Sequence, residues 1–312
     1  MKIALIEIYP LKKINTRKMI DAHLRNSITL SEYLKCDLLL IESDFIAALD
    51  KKYDILILSY GSAYAPFNLI NELFKRNKNA KKFWITNEYN LVPITPTMKH
   101  KHSIIGNFEK QPYTRNVINF HTLNLNLLLA KDPNRIQNKK YDCIYYGTFR
   151  INRSKYFKKY LQNEMYLSTS SKNFKKFKHI GCNPKYITKL NWIEGKETLN
   201  LFKYQLYIED VKTHTNFNNL ANRYYEAGFC NNVVFFDINC RNTINNSELR
   251  YYKEQVENYI VKDCKDLQKK IKEYNKNFEK HLAIQKSWRT NEQLLRIQML
   301  KELKNIIYNG TK

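Results

Sequence analysis

Glycine is scarce in this chain, with seven in 312 residues. No Gly-x-Gly-x-x-Gly motif and no Walker phosphate loop occurs among them. Both motifs need glycine because the backbone must approach the phosphates of a nucleotide closely. The scarcity therefore argues against an ordinary nicotinamide dehydrogenase and against a P-loop nucleotidase.

Paired cysteines are also missing. None of the six cysteines forms a Cys-x-x-Cys pair, and no histidines lie at zinc spacing from them. Cys36, Cys143 and Cys230 lie in apolar stretches, where a reduced and buried thiol is the usual state. We therefore expect no disulfide and no metal site.

Long hydrophobic runs are absent from the sequence as well. No apolar segment approaches the ~20 residues that a membrane-spanning helix needs. The amino-terminal run is too short, and at Glu7 too acidic, for a secretory signal, and it is typical of a first buried strand. These features predict a cytoplasmic protein that does not insert stably into a membrane, and they leave its oligomeric state open.

Acidic residues are depleted, with 29 Asp and Glu against 53 Lys and Arg, which gives a net charge of +24. Such an excess predicts a polyanionic partner, either nucleic acid or an anionic membrane surface. The alternative is a composition bias of the whole genome, since Lys, Asn, Ile and Tyr are all abundant, as in AT-rich genomes. Such a bias would raise the lysine content without depleting the acidic residues to this extent.

Apolar strands alternate with amphipathic helices in two successive segments of the chain. The predicted strands cover residues 2–8, 36–43, 53–60, 82–86, 102–108 and 117–129, and then 141–146, 165–168, 205–209 and 233–237. Continuous apolar strands separated by helices indicate α/β sheets that are parallel and covered on both faces.

We therefore predict two Rossmann-like α/β domains that face each other across a ligand cleft. Residues 1–140 form the acceptor-side domain and residues 141–285 the nucleotide-sugar-binding domain. Residues 247–308 are almost entirely helical in pattern, and 286–312 are expected to pack back towards the N-terminal domain.

Basic side chains follow the predicted strand at 141–146. Gly147 lets a ligand approach the backbone, and Arg150 and Arg153 are three residues apart, so they share one face of the following helix. Paired guanidinium groups at a helix start suit a diphosphate. Two solvated surface arginines are the alternative, but ligands of open α/β sheets bind at the carboxyl ends of the strands, as here.

A second charged pair, Arg223 and Glu226, begins the helix that precedes the strand at 233–237. The carboxylate can accept hydrogen bonds from two hydroxyls of a ribose while the arginine reaches phosphate. An ordinary ion pair at this spacing is the alternative reading and contributes only about 0.2–0.5 kcal/mol. Together with the Gly147 turn, the pair predicts a sugar-nucleotide site.

The second half of the chain resembles the donor domain of GT-B glycosyltransferases. The stretch 225–227 (YEA) followed by 233–237 (VVFFD) is similar to their Glu-Ala … Val-Val pattern. Within that fold, the two motifs Arg150-x-x-Arg153 and Arg223-x-x-Glu226 resemble those of the DNA β-glucosyltransferases of T-even phages.

The resemblance covers about residues 141–240 and implies a UDP-sugar donor, with glucose as the sugar. It implies that Arg150, Arg153 and Arg223 bind the diphosphate and that Glu226 binds the ribose. It also implies double-stranded DNA carrying a hydroxymethylated base as the acceptor. No metal is expected, because arginines stabilise the departing diphosphate.

The two-glutamate pattern of many retaining relatives is broken at Asn218, which favours an inverting mechanism. An inverting transfer needs a base that takes the proton of the acceptor hydroxyl. Glu88 follows the strand at 82–86 and is the first candidate, with a helix-capping or solvated carboxylate as the alternative. Weaker candidates for this base are Glu7, Glu42 and Asp44.

Further candidates lie on loops and helix ends. His214 follows the strand at 205–209 and is a candidate donor contact, although single histidines are more often structural. Lysine and arginine clusters can grip DNA phosphates without reading sequence. The candidate acceptor contacts are Lys75, Arg76, Lys99 and Lys101, and a further cluster contains Lys172, Lys175, Lys176 and Lys178. Each cluster can equally be a solvated helix end.

Two other functions fit the same features. One is a glycosyltransferase of lipopolysaccharide, capsule or protein whose positive charge meets anionic lipid, although no basic anchor helix rich in Trp or Leu is evident. The other is a non-catalytic DNA-binding protein on a degenerate sugar-nucleotide fold. The intact donor motifs argue against the second.

Overall fold

The structure is a computed structural model, and it describes residues 1–7, 22–40, 48–58, 67–86, 103–106, 114–117, 139–188, 199–209 and 220–309. The chain divides into two compact units. The first unit contains residues 1–130 and 295–312, and the second contains residues 131–294.

The first unit is built on a six-stranded parallel sheet in the order β2-β1-β3-β4-β5-β6. Its elements are β1 (Ile3–Glu7), α1 (Ala22–Leu34), β2 (Asp37–Leu40), β3 (Ile55–Leu58), α2 (Phe67–Arg76), β4 (Lys81–Thr86), β5 (Ser103–Gly106) and β6 (Thr114–Val117). The strands β1 and β3 are buried on both faces, as their unbroken apolar sequences predict.

The second unit also contains a six-stranded parallel sheet, in the order β12-β11-β10-β7-β8-β9. Its strands are β7 (Tyr141–Tyr146), β8 (Tyr166–Thr169), β9 (Lys185–Thr188), β10 (Phe202–Tyr207), β11 (Val233–Asp237) and β12 (Ile260–Val261). Counted within the unit, this is the strand order 3-2-1-4-5-6 of the dinucleotide-binding fold. The predicted α/β class with two doubly wound sheets is confirmed.

Helices connect these strands and cover the sheet. They are α3 (Ser154–Tyr160), α4 (Ser171–His179), α5 (Asn222–Phe229), α6 (Arg241–Asn246), α7 (Lys253–Glu257), α8 (Cys264–Tyr274) and α9 (Phe278–Asn309). The strand β12 interrupts the region at 247–308 that was expected to be almost wholly helical. Helix α9 runs unbroken through the domain boundary predicted at 286, and its residues from 295 onward belong to the first unit.

Some of the strand predictions differ from the structure at their ends. Strand β6 is Thr114–Val117, and of the strand predicted at 117–129 only its first residue is described, since residues 118–129 lie outside the described part of the chain. All six cysteines are free thiols. Among the described residues, no helix is long and apolar enough to cross a membrane.

Candidate functional site

The candidate site of the second unit lies at the carboxyl ends of β7 and β10. These two strands are neighbours in the sheet, and the chain leaves them in opposite directions, towards β8 on one side and β11 on the other. Such a topological switch point leaves a crevice that binds ligands in open α/β sheets. Gly147 directly follows β7, and Glu209 lies two residues beyond β10.

Gly147 makes the turn that leaves β7. Its φ angle is +155°, in a region that side chains rarely adopt, and its N–H donates to the carbonyl of Ser168 at 3.1 Å. A Cβ atom at this position would lie 3.3 Å from the hydroxyl oxygen of Tyr145 and 3.6 Å from Nη2 of Arg223. Glycine therefore brings bare backbone next to a guanidinium group.

Three buried charges meet beside this turn. Arg153 Nη2 lies 2.5 Å from Oε2 of Glu209, and Arg223 Nη1 lies 2.6 Å from Oε1 of the same carboxylate. The side chains of Arg153, Glu209 and Arg223 are 7%, 2% and 17% exposed, so water screens their charges poorly. We call Arg153, Glu209 and Arg223 the arginine cluster; its two guanidinium groups share one carboxylate.

Arg223 is held by more than its ion pair. Its Nη1 also donates to the carbonyl of Ile208 at 3.0 Å, and its guanidinium carbon lies 5.7 Å from the ring centre of Tyr145 and 5.9 Å from that of Tyr207. Burial by itself lowers the pKa of Arg223, but the Glu209 carboxylate and the tyrosines raise it, and the net shift is upward. Arg223 therefore stays charged.

Arg150 differs from Arg153 in position. Its backbone is extended, with φ −131° and ψ 126°, and it directly precedes a 3₁₀ turn over Ile151–Arg153. The expectation that both arginines share one helix face is therefore not met, because the helical conformation begins after Arg150. Arg150 is exposed, on the same short segment as the buried Arg153.

Glu226 lies in α5 and is 4% exposed. The hydroxyl of Tyr146, the last residue of β7, donates to its Oε2. Burial raises the pKa of Tyr146 well above its usual value, and the neighbouring Glu226 carboxylate raises it further. The phenol therefore keeps its proton and orients the carboxylate beside the turn at Gly147.

Sequence reasoning missed two members of this site, Glu209 and Tyr146. Glu209 is the last residue of the strand predicted at 205–209, where a lone acid resembles an ordinary strand terminus. Tyr146 stands in an apolar run and gives no sign of its polar role. The one usable signal was their position at carboxyl ends of adjacent parallel strands.

Several predicted site residues lie outside the described part of the chain. They are Glu88, His214, Lys99 and Lys101, together with the weaker candidates Glu42 and Asp44 and the position Asn218. Glu7 is described: it is the last residue of β1, is 1% exposed, and accepts a 2.5 Å hydrogen bond from Oγ of Ser27.

The candidate acceptor contacts Lys75 and Arg76 lie in the last turn of α2, and both are exposed. Arg76 pairs with Glu72 at 2.9 Å and with Asp50 at 3.1 Å. Lys82, from the same sequence cluster, is buried, and its ammonium donates to three carbonyls of the turn that follows this helix. Lys82 therefore serves the fold.

The described residues contain no group of three or more His, Cys, Asp or Glu side chains arranged to hold a metal ion. The two guanidinium groups of the arginine cluster place positive charge at the switch point. The arrangement can bind a compact anion against the Gly147 backbone and hydroxyl groups against Glu226.

Two doubly wound units, the second with a charged switch point, define the GT-B class of fold. Solved structures of this class match nearly the whole chain. The T4 phage β-glucosyltransferase in complex with UDP and Mn²⁺ has a TM-score of 0.67 at 15% identity, and the match covers 99% of this chain and 100% of the phage chain.

An α-glucosyltransferase in complex with UDP and a 13-mer DNA has a TM-score of 0.63 at 14% identity, and covers 94% of this chain and 95% of its own. A second α-glucosyltransferase structure, with UDP-glucose and DNA containing an abasic site, has a TM-score of 0.62 at 12% identity, with 92% and 94% covered. The predicted fold resemblance is confirmed, and it extends beyond residues 141–240 to the first unit.

No protein-family model matches the sequence, and no curated protein matches it in a sequence comparison.

Proposed function

We propose that this protein is a glycosyltransferase that moves a sugar, glucose, from a UDP-sugar to a hydroxymethylated base in double-stranded DNA. The observation that carries the proposal is the arginine cluster of Arg153, Glu209 and Arg223 beside the Gly147 turn, at the switch point of the second sheet. The GT-B fold supports it, and so do neighbours that are complexes with UDP-glucose and with DNA.

The donor diphosphate is proposed to lie between the Gly147 backbone and the arginine cluster. The cluster brings two guanidinium groups to the turn, and each of them carries N–H donors in the fork geometry that suits a phosphate. Guanidinium groups bind phosphate oxygens through paired hydrogen bonds, which a poorly hydrated site strengthens. Arg150, which is exposed and lies three residues after Gly147, adds a further positive charge near this turn.

The ribose is proposed to bind Glu226. Its carboxylate, oriented by Tyr146, can accept hydrogen bonds from the two ribose hydroxyls, which ties recognition of a nucleoside to recognition of its diphosphate. His214 remains a candidate donor contact.

In the proposed reaction the oxygen of the acceptor's hydroxymethyl group attacks the anomeric carbon of the sugar. The new carbon–oxygen bond forms as the bond to the diphosphate breaks, the acceptor proton passes to Glu88, and UDP departs. Attack from the face opposite the leaving group inverts the anomeric carbon. The arginines stabilise the charge that develops on the diphosphate, so the transfer is proposed to need no metal.

The proposal that the acceptor is DNA is based on the positive charge of the chain. The net charge of +24 favours a polyanion, and Lys75, Arg76, Lys99 and Lys101 remain the candidate contacts of the first unit. An enzyme that acts on a base in a duplex must turn that base out of the stack, so the proposal includes base flipping.

The proposal is tested by incubating the purified protein with UDP-glucose and one of three acceptors: hydroxymethylated duplex DNA, unmodified duplex DNA, or a lipid acceptor. The products are analysed by mass, with and without EDTA. We expect a gain of one hexose on the hydroxymethylated DNA alone, in both conditions. Hexose on the lipid acceptor would instead indicate a glycosyltransferase that acts at the membrane surface. DNA binding without any transfer would indicate a non-catalytic DNA-binding protein.

The site is tested separately with Arg223→Gln. We expect at least a 100-fold loss of UDP affinity by calorimetry, because one of the two buried guanidinium groups is removed. Arg241→Gln is the matched control, since Arg241 also pairs with a carboxylate, Glu257, but does so in solvent, 51% and 44% exposed. Equal UDP affinity in both variants would contradict the donor site.

The proposed base is tested with Glu88→Gln, which should abolish transfer while UDP affinity stays unchanged. Full transfer by that variant would remove Glu88 from the mechanism.

A further inference from the structure

Positive charge is concentrated in one segment of the second unit, from 150 to 188. It contains a single acidic residue, Glu164. Its basic residues are Arg150, Arg153, Lys155, Lys158, Lys159, Lys172, Lys175, Lys176, Lys178 and Lys185. The donor site uses only the two arginines of this segment, so the lysines have no role in the proposed function.

The helices of this segment lie side by side on one face of the sheet. The chain passes from β7 through α3 to β8 and through α4 to β9, each time to the next strand in the same direction, and right-handed crossovers then place both helices on the same face. Their contact is aromatic: the ring centres of Phe157 and Phe177 are 4.8 Å apart, and both residues are fully buried.

Because the aromatic side chains point inward, lysines occupy the outer surface of the two helices. We call this surface the lysine face; it consists of Lys155, Lys158, Lys172, Lys175 and Lys176, and all five are exposed. None of the five forms an ion pair with a carboxylate of the described residues. By contrast, Lys159 and Lys185, at the borders of this surface, lie 3.5 Å from Asp237 and 3.9 Å from Glu164.

We propose that the lysine face binds the sugar-phosphate backbone of double-stranded DNA and holds the acceptor duplex on the donor unit. This inference rests on the proposed function for the identity of its partner. Five uncompensated lysines on one face complement a regular row of phosphates, and such contacts add affinity without reading sequence.

The composition of the face favours nucleic acid over a lipid surface. A helix that lies in a membrane interface needs a broad apolar stripe beside its lysines. Here the apolar residues of α4 face the protein: Phe177 is buried, and the Phe174 ring packs at 4.4 Å against Tyr186 of the edge strand β9. Tyr186, 38% exposed, supplies a single aromatic ring at the border.

The test compares two triple variants of the full-length protein that remove the same charge. One replaces Lys172, Lys175 and Lys176 of α4 with glutamine. The control replaces Lys265, Lys269 and Lys272, three exposed lysines of α8 on a helix that also carries acidic residues. Affinity for an unmodified 30-base-pair duplex is measured by fluorescence anisotropy from 50 to 200 mM salt, and affinity for UDP is measured by calorimetry.

We expect the α4 variant to lose at least tenfold in duplex affinity at 100 mM salt and about 2–3 units from the slope of log K against log salt, at up to about 0.9 per phosphate contact. Its UDP affinity and melting temperature should stay unchanged, and the α8 variant should bind DNA within about threefold of the parent.

Three outcomes would overturn the proposal: equal losses in the two variants, no loss in either, or a parent protein that binds no duplex. Vesicles containing 30% phosphatidylserine form a further arm, and a loss of vesicle binding without a loss of DNA binding would also overturn it. If the parent binds the duplex through the lysine face but transfers no sugar, the proposed function fails and this inference stands.

Discussion

At the scale of single residues, Glu209 is the centre of the candidate site. Its carboxylate, 2% exposed, pairs with both Arg153 and Arg223. Taking charges out of water is costly, and removing one member of a buried set leaves the others uncompensated. Glu209 therefore keeps two guanidinium groups close together that would otherwise repel each other.

Glu209→Gln is expected to lower the free energy of unfolding by about 3–5 kcal/mol, because two buried arginines lose their shared carboxylate. Added UDP should raise the melting temperature of this variant more than it raises that of the parent, since the diphosphate supplies the missing negative charge. Thermal melts with and without UDP measure both effects.

The control is Glu257→Gln, which breaks the exposed pair with Arg241 and should change stability by less than about 1 kcal/mol. A UDP-induced shift for Glu209→Gln that is no larger than the parent's would contradict the link between this carboxylate and the donor site.

The residues of this cluster differ in how far the sequence predicts them. Gly147, Arg223 and Glu226 are predicted as site residues because a glycine turn and charged side chains stand at strand ends and helix starts, where α/β sheets bind ligands, and the structure brings the three together. Glu209 is not found, because its role depends on arginines 56 residues before it and 14 residues after it. Sequence-local rules carry no information about such long-range pairing.

At the scale of elements, the turn after β7 is the feature on which the proposed donor binding depends. Gly147 and Gly181 both have positive φ angles, +155° and +86°, but their surroundings differ. A Cβ atom at 147 meets Tyr145 and Arg223, whereas one at 181 meets no heavy atom within 4 Å. A substitution at Gly181 therefore introduces backbone strain alone, whereas the same substitution at Gly147 introduces strain and also crowds Tyr145 and Arg223.

Gly147→Ala and Gly181→Ala should each lower stability by about 1–3 kcal/mol, because alanine is strained at positive φ. Only Gly147→Ala is expected to weaken UDP binding, by about tenfold or more, since its methyl group intrudes between the backbone and Arg223. Chemical denaturation and calorimetry check the two parts. Equal UDP affinity in the two variants would place the diphosphate away from this turn.

A second element-scale feature is the contact between α9 and β11. Gln285, fully buried, accepts a hydrogen bond from the Val234 N–H at 2.8 Å and donates to the Val234 carbonyl at 2.9 Å. Strand β12 pairs with β11 only at Phe236 and Asp237. The glutamine amide therefore replaces the strand residue that the short β12 lacks at this point.

Gln285→Leu should cost about 2–4 kcal/mol, because a buried N–H and a buried carbonyl both lose their partner. Gln298→Leu, at an exposed position of the same helix, is the control and should change stability by less than about 0.5 kcal/mol. Urea denaturation measures both. A small effect at 285 would mean that water or a shifted strand satisfies Val234.

Element prediction works where burial is continuous and fails where an element is short. The strands β3, β7 and β11 are predicted because each contains four or five apolar residues between turn signals. The two-residue strand β12 is missed because two residues establish no periodicity and helices flank them on both sides. Strand β12 forms by pairing with β11 at the edge of the second sheet, and a local sequence pattern does not encode such a long-range contact.

At the scale of the whole molecule, the carboxyl-terminal helix contributes to the cores of both units. Residues 278–294 of α9 belong to the second unit and residues 295–309 to the first. In the first unit, Leu303 and Ile307 are fully buried in a cluster that includes Leu5 and Ile57 of the sheet. The first unit is therefore completed by residues that lie 178–192 positions after its last strand, β6, so its stability depends on this part of α9.

Leu303→Ala should lower the stability of the first unit by about 2–5 kcal/mol, because it leaves a cavity beside β1 and β3. Leu294→Ala, on the same helix but 62% exposed, removes the same atoms and should change stability by less than about 0.5 kcal/mol. Hydrogen exchange followed by mass spectrometry distinguishes the units: Leu303→Ala should speed exchange in β1, β3 and β4 while β10 and β11 keep the protection of the parent. Equal acceleration in both sheets would mean that the two units unfold as one, and an unchanged first sheet would mean that its core closes without this helix.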